Sequence, residues 1–210
     1  MSKSLIVLGA GGHAKVVIST AHALGYAVSA LYDDAPEKQG TTILGAPVMG
    51  SIEQFAENDD PKVMYFIAVG DNRARKRIYS RKPNASWATL IHPHAWIHSS
   101  VKIASGTLVC AGVVIQPDAV IGQHCIINTT ASVDHDCSLS DFVHIGPGAR
   151  LTGGVKVEEG SLLGAGCVVL PGVCVGAWSV VGAGAVVLDD VPSGVIVAGV
   201  PARIISEHSL

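Results

Sequence analysis

The run Asp134-His135-Asp136 sets one imidazole between two carboxylates. A carboxylate beside an imidazole stabilises the imidazolium and makes the ring a stronger base. That is the composition of a general base with its orienting group. A second histidine, His144, lies nine residues on. Near the start, Gly9-Ala-Gly-Gly-His-Ala14 fits G-x-G-x-x-A between an apolar run and a helical one. The N–H groups of such a loop, backed by a helix N-terminus, can hold phosphate oxygens. Asp33 and Asp34 end the next apolar run, where a carboxylate could accept from ribose hydroxyls or a base N–H. The loop has other readings: a tight turn that binds nothing, or an NAD site, for which a second mononucleotide half is missing. His13 reads as a phosphate or sugar donor, or as an exposed first-turn residue.

The element that must position the first group repeats every six residues. From Ile91 to Val187, all seventeen positions at that step are Ile, Val or Leu. The positions two residues earlier, such as Ala119, Cys125, Ala131, Cys137 and Val143, are all small or β-branched. Six is the period of a hexapeptide β-helix. Each hexapeptide gives one short strand and one turn, and three make an eighteen-residue triangular coil, so the 97 residues make about five coils. The aliphatic residue points inward, and residues eighteen apart, such as Val109, Ile127, Ile145, Leu163 and Val181, stack. Gly and Pro recur at the corners, where backbone freedom or a fixed φ is useful. His135 lies two residues past the inward Val133, at a corner. His144 precedes the inward Ile145. Neither can point into the aliphatic core.

Residues 1–90 lack the period and alternate strands with helices. Leu5–Leu8 is a buried strand, and a helix follows the glycine loop to about Leu24. Val28–Tyr32, Pro47–Met49 and Val63–Val69 are further strands. Ser51 reads as an N-cap of a helix through Glu57, and Arg73–Arg81 as a basic helix. The pattern predicts a small α/β domain with a parallel sheet, half of a dinucleotide-binding fold and enough for one nucleotide. Two domains follow, 1–90 and 91–210.

The bulk properties narrow the setting. Apolar residues are 49% of the chain, charged residues 15%, and the net charge is −3, with no basic stripe for nucleic acid. No apolar run is long enough to span a membrane. The start is too short and too soon broken by glycine for a signal peptide. Of five cysteines, Cys125, Cys137 and Cys167 fall in the inward small row, and no CxxC occurs. A reduced, cytoplasmic chain is expected.

Gly9-Ala-Gly-Gly-His13, Tyr32-Asp33-Asp34, Ile67–Asn72 with Arg75–Tyr79, Asn128–Cys137 and Gly199-Val-Pro-Ala-Arg203 resemble, together, one family. It is that of bacterial sugar acyltransferases: sialic-acid O-acetyltransferases and the UDP-4-amino-sugar N-acetyltransferases of bacillosamine synthesis. The resemblance covers essentially the whole chain. It implies a small Rossmann-like α/β domain followed by a left-handed parallel β-helix, assembled as a homotrimer with active sites between prisms. It implies acetyl-CoA as co-substrate, no metal, and a UDP-linked 4-amino sugar as acceptor. His135 matches the family's catalytic base and Asp136 the acidic position that modulates it. His144 matches a residue at the acetyl-CoA thioester, and Ala165 and Ala183 match backbone along the pantetheine arm. Gly11, Gly12, His13, Asp33, Asp34 and Gly70 match the nucleotide-sugar pocket. The chain departs at Gly11, where serine can sit, at Asp136, where Glu can sit, and at Asp71, where Asn can sit.

The implied reaction is direct acetyl transfer, with His135 accepting a proton as the amine attacks the thioester. Sialic acid and a GDP-linked amino sugar stand as alternative acceptors. Two readings come from other classes. A zinc hydratase would draw ligands from His92, His94, His98, His124, His135 and His144, three of which would have to converge. A non-catalytic nucleotide-sugar-binding module would use the β-helix as scaffold only.

Overall fold

The computed structural model describes residues 3–55 and 63–207, which divide into a unit up to Pro93 and a unit from His94. In the first unit, strand β1 (Ser4–Leu8) leads through the glycine loop into helix α1 (Gly12–Ala23) and back to β2 (Ala27–Tyr32). Strands β3 (Thr42–Ile43), β4 (Ala46–Gly50) and β5 (Val63–Ile67) and helix α2 (Asn72–Arg81) follow. The sheet order is β3-β4-β2-β1-β5, parallel except for the short β3, which runs antiparallel to β4. The chain winds outward through β2 and β4, then returns to the far side of β1 as β5. The carboxyl ends of β1 and β5 therefore flank a topological switch point, where sheets of this kind leave a crevice for a ligand. Leu8, Phe55, Val63, Tyr65, Ile67 and Trp87 pack as one apolar cluster on the sheet.

Two elements depart from the sequence reading. The helix expected from Ser51 is a single 3₁₀ turn, Ile52–Gln54, closed by a reciprocal capping box between Ser51 and Gln54. Glu57 lies outside the described residues. The Thr42–Ile43 hairpin strand was not expected, because two residues are too short to show a period.

The second unit is a parallel β-helix. Two-residue strands recur every six residues and stack eighteen apart into three sheets. Val109, Ile127, Ile145, Leu163 and Val181 pair in register, as the ladder required. From Val109 to Val187 every inward residue is buried, whereas Ile97 and Ile103 of the first coil are half-buried. Corners turn on left-handed residues, filled by glycine at 112, 148, 166 and 184 and by Asp118 and Asp136. One corner holds larger side chains in that conformation: His124 (φ 51), Phe142 (φ 59) and Trp178 (φ 58). His124 is fully buried, its ring stacked on Phe142 at 5.5 Å.

The ladder does not end at Val187. It loses two residues at Leu188–Asp190 and resumes, with Val175 bridged to Val191 and Val181 paired with Val197. Strand Val195–Ala198 then folds back on Arg203–Glu207 as an antiparallel hairpin.

Candidate functional site

Val133 and Leu139 are anchored inside the prism, so the corner between them, Asp134–Asp136, must stand outside it. Asp134 Oδ1 accepts from the His135 backbone N–H at 2.8 Å, which fixes the turn. Asp136, left-handed at φ 60, swings its carboxylate back to His135, with Oδ2 2.8 Å from Nδ1. Both side chains are well exposed, 60% for His135 and 67% for Asp136. The Asp136 hydrogen bond raises the His135 pKa above the usual imidazole value, with the charges of Asp134 and Asp136 adding and the slight burial of the ring opposing. Asp136 accepts from Nδ1–H, so the neutral ring keeps its lone pair on Nε2. An outward base with a fixed tautomer results.

His144 is built differently. Its strand, His144–Ile145, buries Ile145 and leaves the imidazole half-buried on the outer face. Asn128, one coil earlier, holds Nδ2 3.2 Å from His144 Nε2. The Asn128 Oδ1 is engaged by the Thr129 N–H at 2.8 Å, so its amide N–H₂ is the group facing the ring. His144 Nε2 then accepts, and its proton sits on Nδ1, a hydrogen-bond donor. Sequence reading did not single out Asn128. The signal was the eighteen-residue repeat, which sets Asn128 directly below Gly146, two residues past His144.

Ala165 and Ala183 are exposed on the corner that follows the His144 strand, one and two coils further along. Gly146, Gly164 and Gly182 of the same corner pack tightly, since a Cβ on Gly164 would stand 2.5 Å from the Ala183 nitrogen. His144, Ala165 and Ala183 thus line one edge of the prism, rising about 4.8 Å per coil, a flat track for an extended ligand. His135 is not on that edge. Its corner joins the sheet of Ser132–Val133 to that of Ser138–Leu139, opposite the face that carries His144. One chain does not bring the two histidines together.

In the first unit, Gly9 is required by the fold. Its φ is 108, and a Cβ there would stand 2.9 Å from the Ala68 carbonyl oxygen. Gly11, Gly12 and Gly70 carry no such requirement, because a Cβ on any of them would meet nothing within 4 Å. Open space therefore lies over the loop at the carboxyl ends of β1 and β5. His13 is half-buried in the first turn of α1 and not exposed. Burial, aided by the nearby Arg75 guanidinium, lowers its pKa from 6.5 to about 4, so it is neutral near pH 7.

Asp33 braces the glycine loop, and Asp34 holds the turn at Ile52. Asp33 Oδ2 accepts from Ala10 N–H at 2.6 Å, Oδ1 accepts from Ala35 N–H at 2.9 Å, and Lys38 Nζ lies 3.1 Å away. Burial alone would raise the Asp33 pKa, but these hydrogen bonds and Lys38 outweigh it and hold the carboxyl below the usual value. Asp34 Oδ1 accepts from Ile52 N–H at 2.8 Å. Arg75 was not anticipated as part of this region. It is 1% exposed and donates to the carbonyls of Val69 and Gly70 and to Asn72 Oδ1, which fixes the loop after β5.

Other chemistry is sparse. Burial pushes the thiols of Cys110 and Cys137 to about 11 and that of Cys167 to about 12, so none is a ready thiolate. Among the described residues, no three His, Cys, Asp or Glu side chains converge as metal ligands. No described helix is long and apolar enough to cross a membrane.

Residues 4–82 match the PglD N-terminal domain family, and residues 154–189 match the bacterial transferase hexapeptide (six repeats) family. GDP-perosamine N-acetyltransferase of Escherichia coli O157:H7 is 32% identical over 149 residues, which are 68% of this chain and 67% of that enzyme. A histidine-to-asparagine variant of perosamine N-acetyltransferase from Caulobacter crescentus, in complex with CoA and GDP-perosamine, superposes with a TM-score of 0.88. It is 40% identical and covers 97% of each chain. The acetyltransferase domain of PglB from Neisseria gonorrhoeae FA1090, in complex with acetyl coenzyme A, gives a TM-score of 0.89 at 38% identity. That match covers 98% of this chain and 100% of the domain. With a PglD-type domain ahead of a left-handed hexapeptide β-helix, the chain belongs to the acetyl-CoA-dependent sugar N-acetyltransferases.

Proposed function

We propose that this enzyme transfers the acetyl group of acetyl-CoA to the amino group of a GDP-linked amino sugar of the perosamine kind. What carries the reaction type is His135, exposed, with Nδ1 held 2.8 Å from Asp136 and Nε2 as the base. What favours GDP is the 40% identity over nearly the full length to an enzyme whose complex holds GDP-perosamine. The glycine loop, with its open space over Gly11, Gly12 and Gly70, grips the diphosphate through backbone N–H groups. His13 and Asp34 complete that pocket, with Asp33 shaping the loop.

The neutral amine attacks the thioester carbonyl, forming the C–N bond, while His135 Nε2 takes its proton. The C–S bond then breaks, and the proton passes to the departing CoA thiolate. Asp136 steadies the imidazolium in between. Transfer is direct, in keeping with buried thiols whose pKa values are about 11 to 12. His144 Nδ1–H faces the thioester, and the edge of Ala165 and Ala183 takes the pantetheine arm. Because His135 and His144 occupy opposite sides of one prism, a site using both requires two chains. A homotrimer supplies three such junctions. A cytoplasmic site of action fits acetyl-CoA and the five free cysteines.

A UDP-linked 4-amino sugar of bacillosamine type is the second reading, favoured by the PglD N-terminal domain and the PglB likeness. The experiment is an acetyl-transfer screen across GDP- and UDP-linked 4-amino sugars and free sialic acid. A kcat/KM highest for the GDP sugar supports the proposal. Preference for the UDP sugar installs the second reading, and turnover of sialic acid alone overturns both.

A further inference from the structure

The corner that carries His135 stacks coil upon coil from equivalent positions, Pro117, His135, Gly153 and Pro171. Proline suits such a turn position by its fixed φ, so the two departures are His135 and the glycine that follows it in the stack, Gly153. Backbone conformation does not demand it. Gly153 lies outside the left-handed region, whereas its neighbour Gly154 is at φ 70. Space does demand it. A Cβ on Gly153 would stand 2.6 Å from both Cε1 and Nε2 of His135 and 3.3 Å from Nδ1. The imidazole of one coil lies over the bare Cα of the next.

We propose that Gly153 is a positioning residue for the base: its missing side chain is the seat that lets the His135 ring lie where Nδ1 meets Asp136. An alanine there turns the ring off its rotamer and away from the carboxylate. The catalytic consequence rests on the function proposed above, but the placement of the ring does not. The charged groups around the ring are Asp134 and Asp136 on its own corner and Asp118 on the corner before. The corner after presents Thr152, Gly153 and Gly154, without charge. A change in the titration of His135 on substitution at 153 therefore reads its bond to Asp136.

The test uses the full-length assembled enzyme and histidine NMR across a pH titration, alongside steady-state kinetics. Gly153→Ala is expected to fold with Tm at or above that of the parent, since its backbone accepts a side chain. The His135 pKa falls toward 6.5, the value of an unpartnered imidazole. By displacement of the base, kcat falls about tenfold or more, with KM for acetyl-CoA unchanged. Pro171→Ala, one coil further on, leaves both the titration and kcat as they were. His135 titrating identically in Gly153→Ala and the parent overturns the proposal, whatever the activity. So does an equal effect of Pro171→Ala, which would make the effect a general loosening of the corner. Full activity of His135→Ala would instead remove the catalytic reading and leave the NMR titration to decide the seat.

Discussion

Asp136 reaches back across a left-handed corner to place Oδ2 2.8 Å from Nδ1 of the residue before it, His135. A side chain as short as aspartate makes this contact because φ of 60 turns its Cα–Cβ bond toward the histidine. On the proposed function, these neighbours in sequence serve as base and orienter. His135→Ala removes the base while both residues' neighbours keep their backbone bonds. Turnover should fall by on the order of 10²-fold or more, the general-base range, with assembly and Tm unchanged. Steady-state kinetics with size-exclusion chromatography checks this, and near-parental kcat would sink the assignment.

Asp136→Asn keeps the shape of the corner and removes the charge. Asp136 raises the His135 pKa, so activity in the parent rises with pH as the ring loses its proton. Without the carboxylate the pKa drops, and the acidic limb of kcat against pH moves to lower pH. The plateau also falls, by roughly tenfold, because the imidazolium loses its stabilising partner. A limb that stays in place would show that Asp136 does not set the titration of the base.

The fold was legible in proportion to how strictly its physics constrains sequence. Inside the prism only an aliphatic residue fits every sixth place, so the ladder from Ile91 to Val187 was plain. Its continuation through Val191 and Val197 was hidden by the loss of two residues, which defeats a fixed step. At the site, Asp134-His135-Asp136 was visible because its members adjoin. Asn128 and His144, sixteen apart, meet only through the eighteen-residue coil, and Arg75 comes near His13 only through the β1–β5 pairing. Asp33 and Asp34 stand as candidate ligand acceptors by their position at the strand end. No sequence pattern announces that they also accept from the Ala10, Ala35 and Ile52 N–H groups.

Acid should loosen the first unit through His13. Its pKa is lowered from 6.5 to about 4 in the folded chain, so between those values the unfolded chain binds more protons. Stability present above pH 6.5 is therefore lost as pH falls toward 4, by at most about 3 kcal/mol for so enclosed a group. Asp33, its pKa held low, adds a loss only at still lower pH. His13→Gln should flatten the window between pH 6.5 and 4. Thermal unfolding of parent and variant across that window decides it, and parallel curves would exclude His13 as the source.

The glycines of the first loop separate structure from binding. Gly9→Ala forces a side chain onto φ 108 and against the Ala68 carbonyl oxygen. Such strain costs about 2 kcal/mol, read as a lower Tm. Gly12→Ala, at the start of α1, meets nothing and should leave Tm equal or higher. Gly12→Leu should fill the open space over the loop and raise KM for the nucleotide sugar about tenfold, a loss of roughly 1.4 kcal/mol. An unchanged KM would move the diphosphate away from this loop.

The opposite placement of His135 and His144 on one prism makes the oligomer testable by complementation. His135→Ala and His144→Ala chains, each assembled alone, leave every junction short of one histidine. Mixed at equal amounts through refolding, they form junctions that take His135 from one chain and His144 from its neighbour. With random pairing in a closed ring, about a quarter of junctions carry both histidines, so about a quarter of parental activity should return. If both histidines served a site within a single chain, no mixture could restore it. Activity of the mixed assembly against that of the two separate variants distinguishes the cases: no recovery would place both histidines in a site within one chain, and parental activity of His144→Ala alone would return His144 to a structural role beside Asn128.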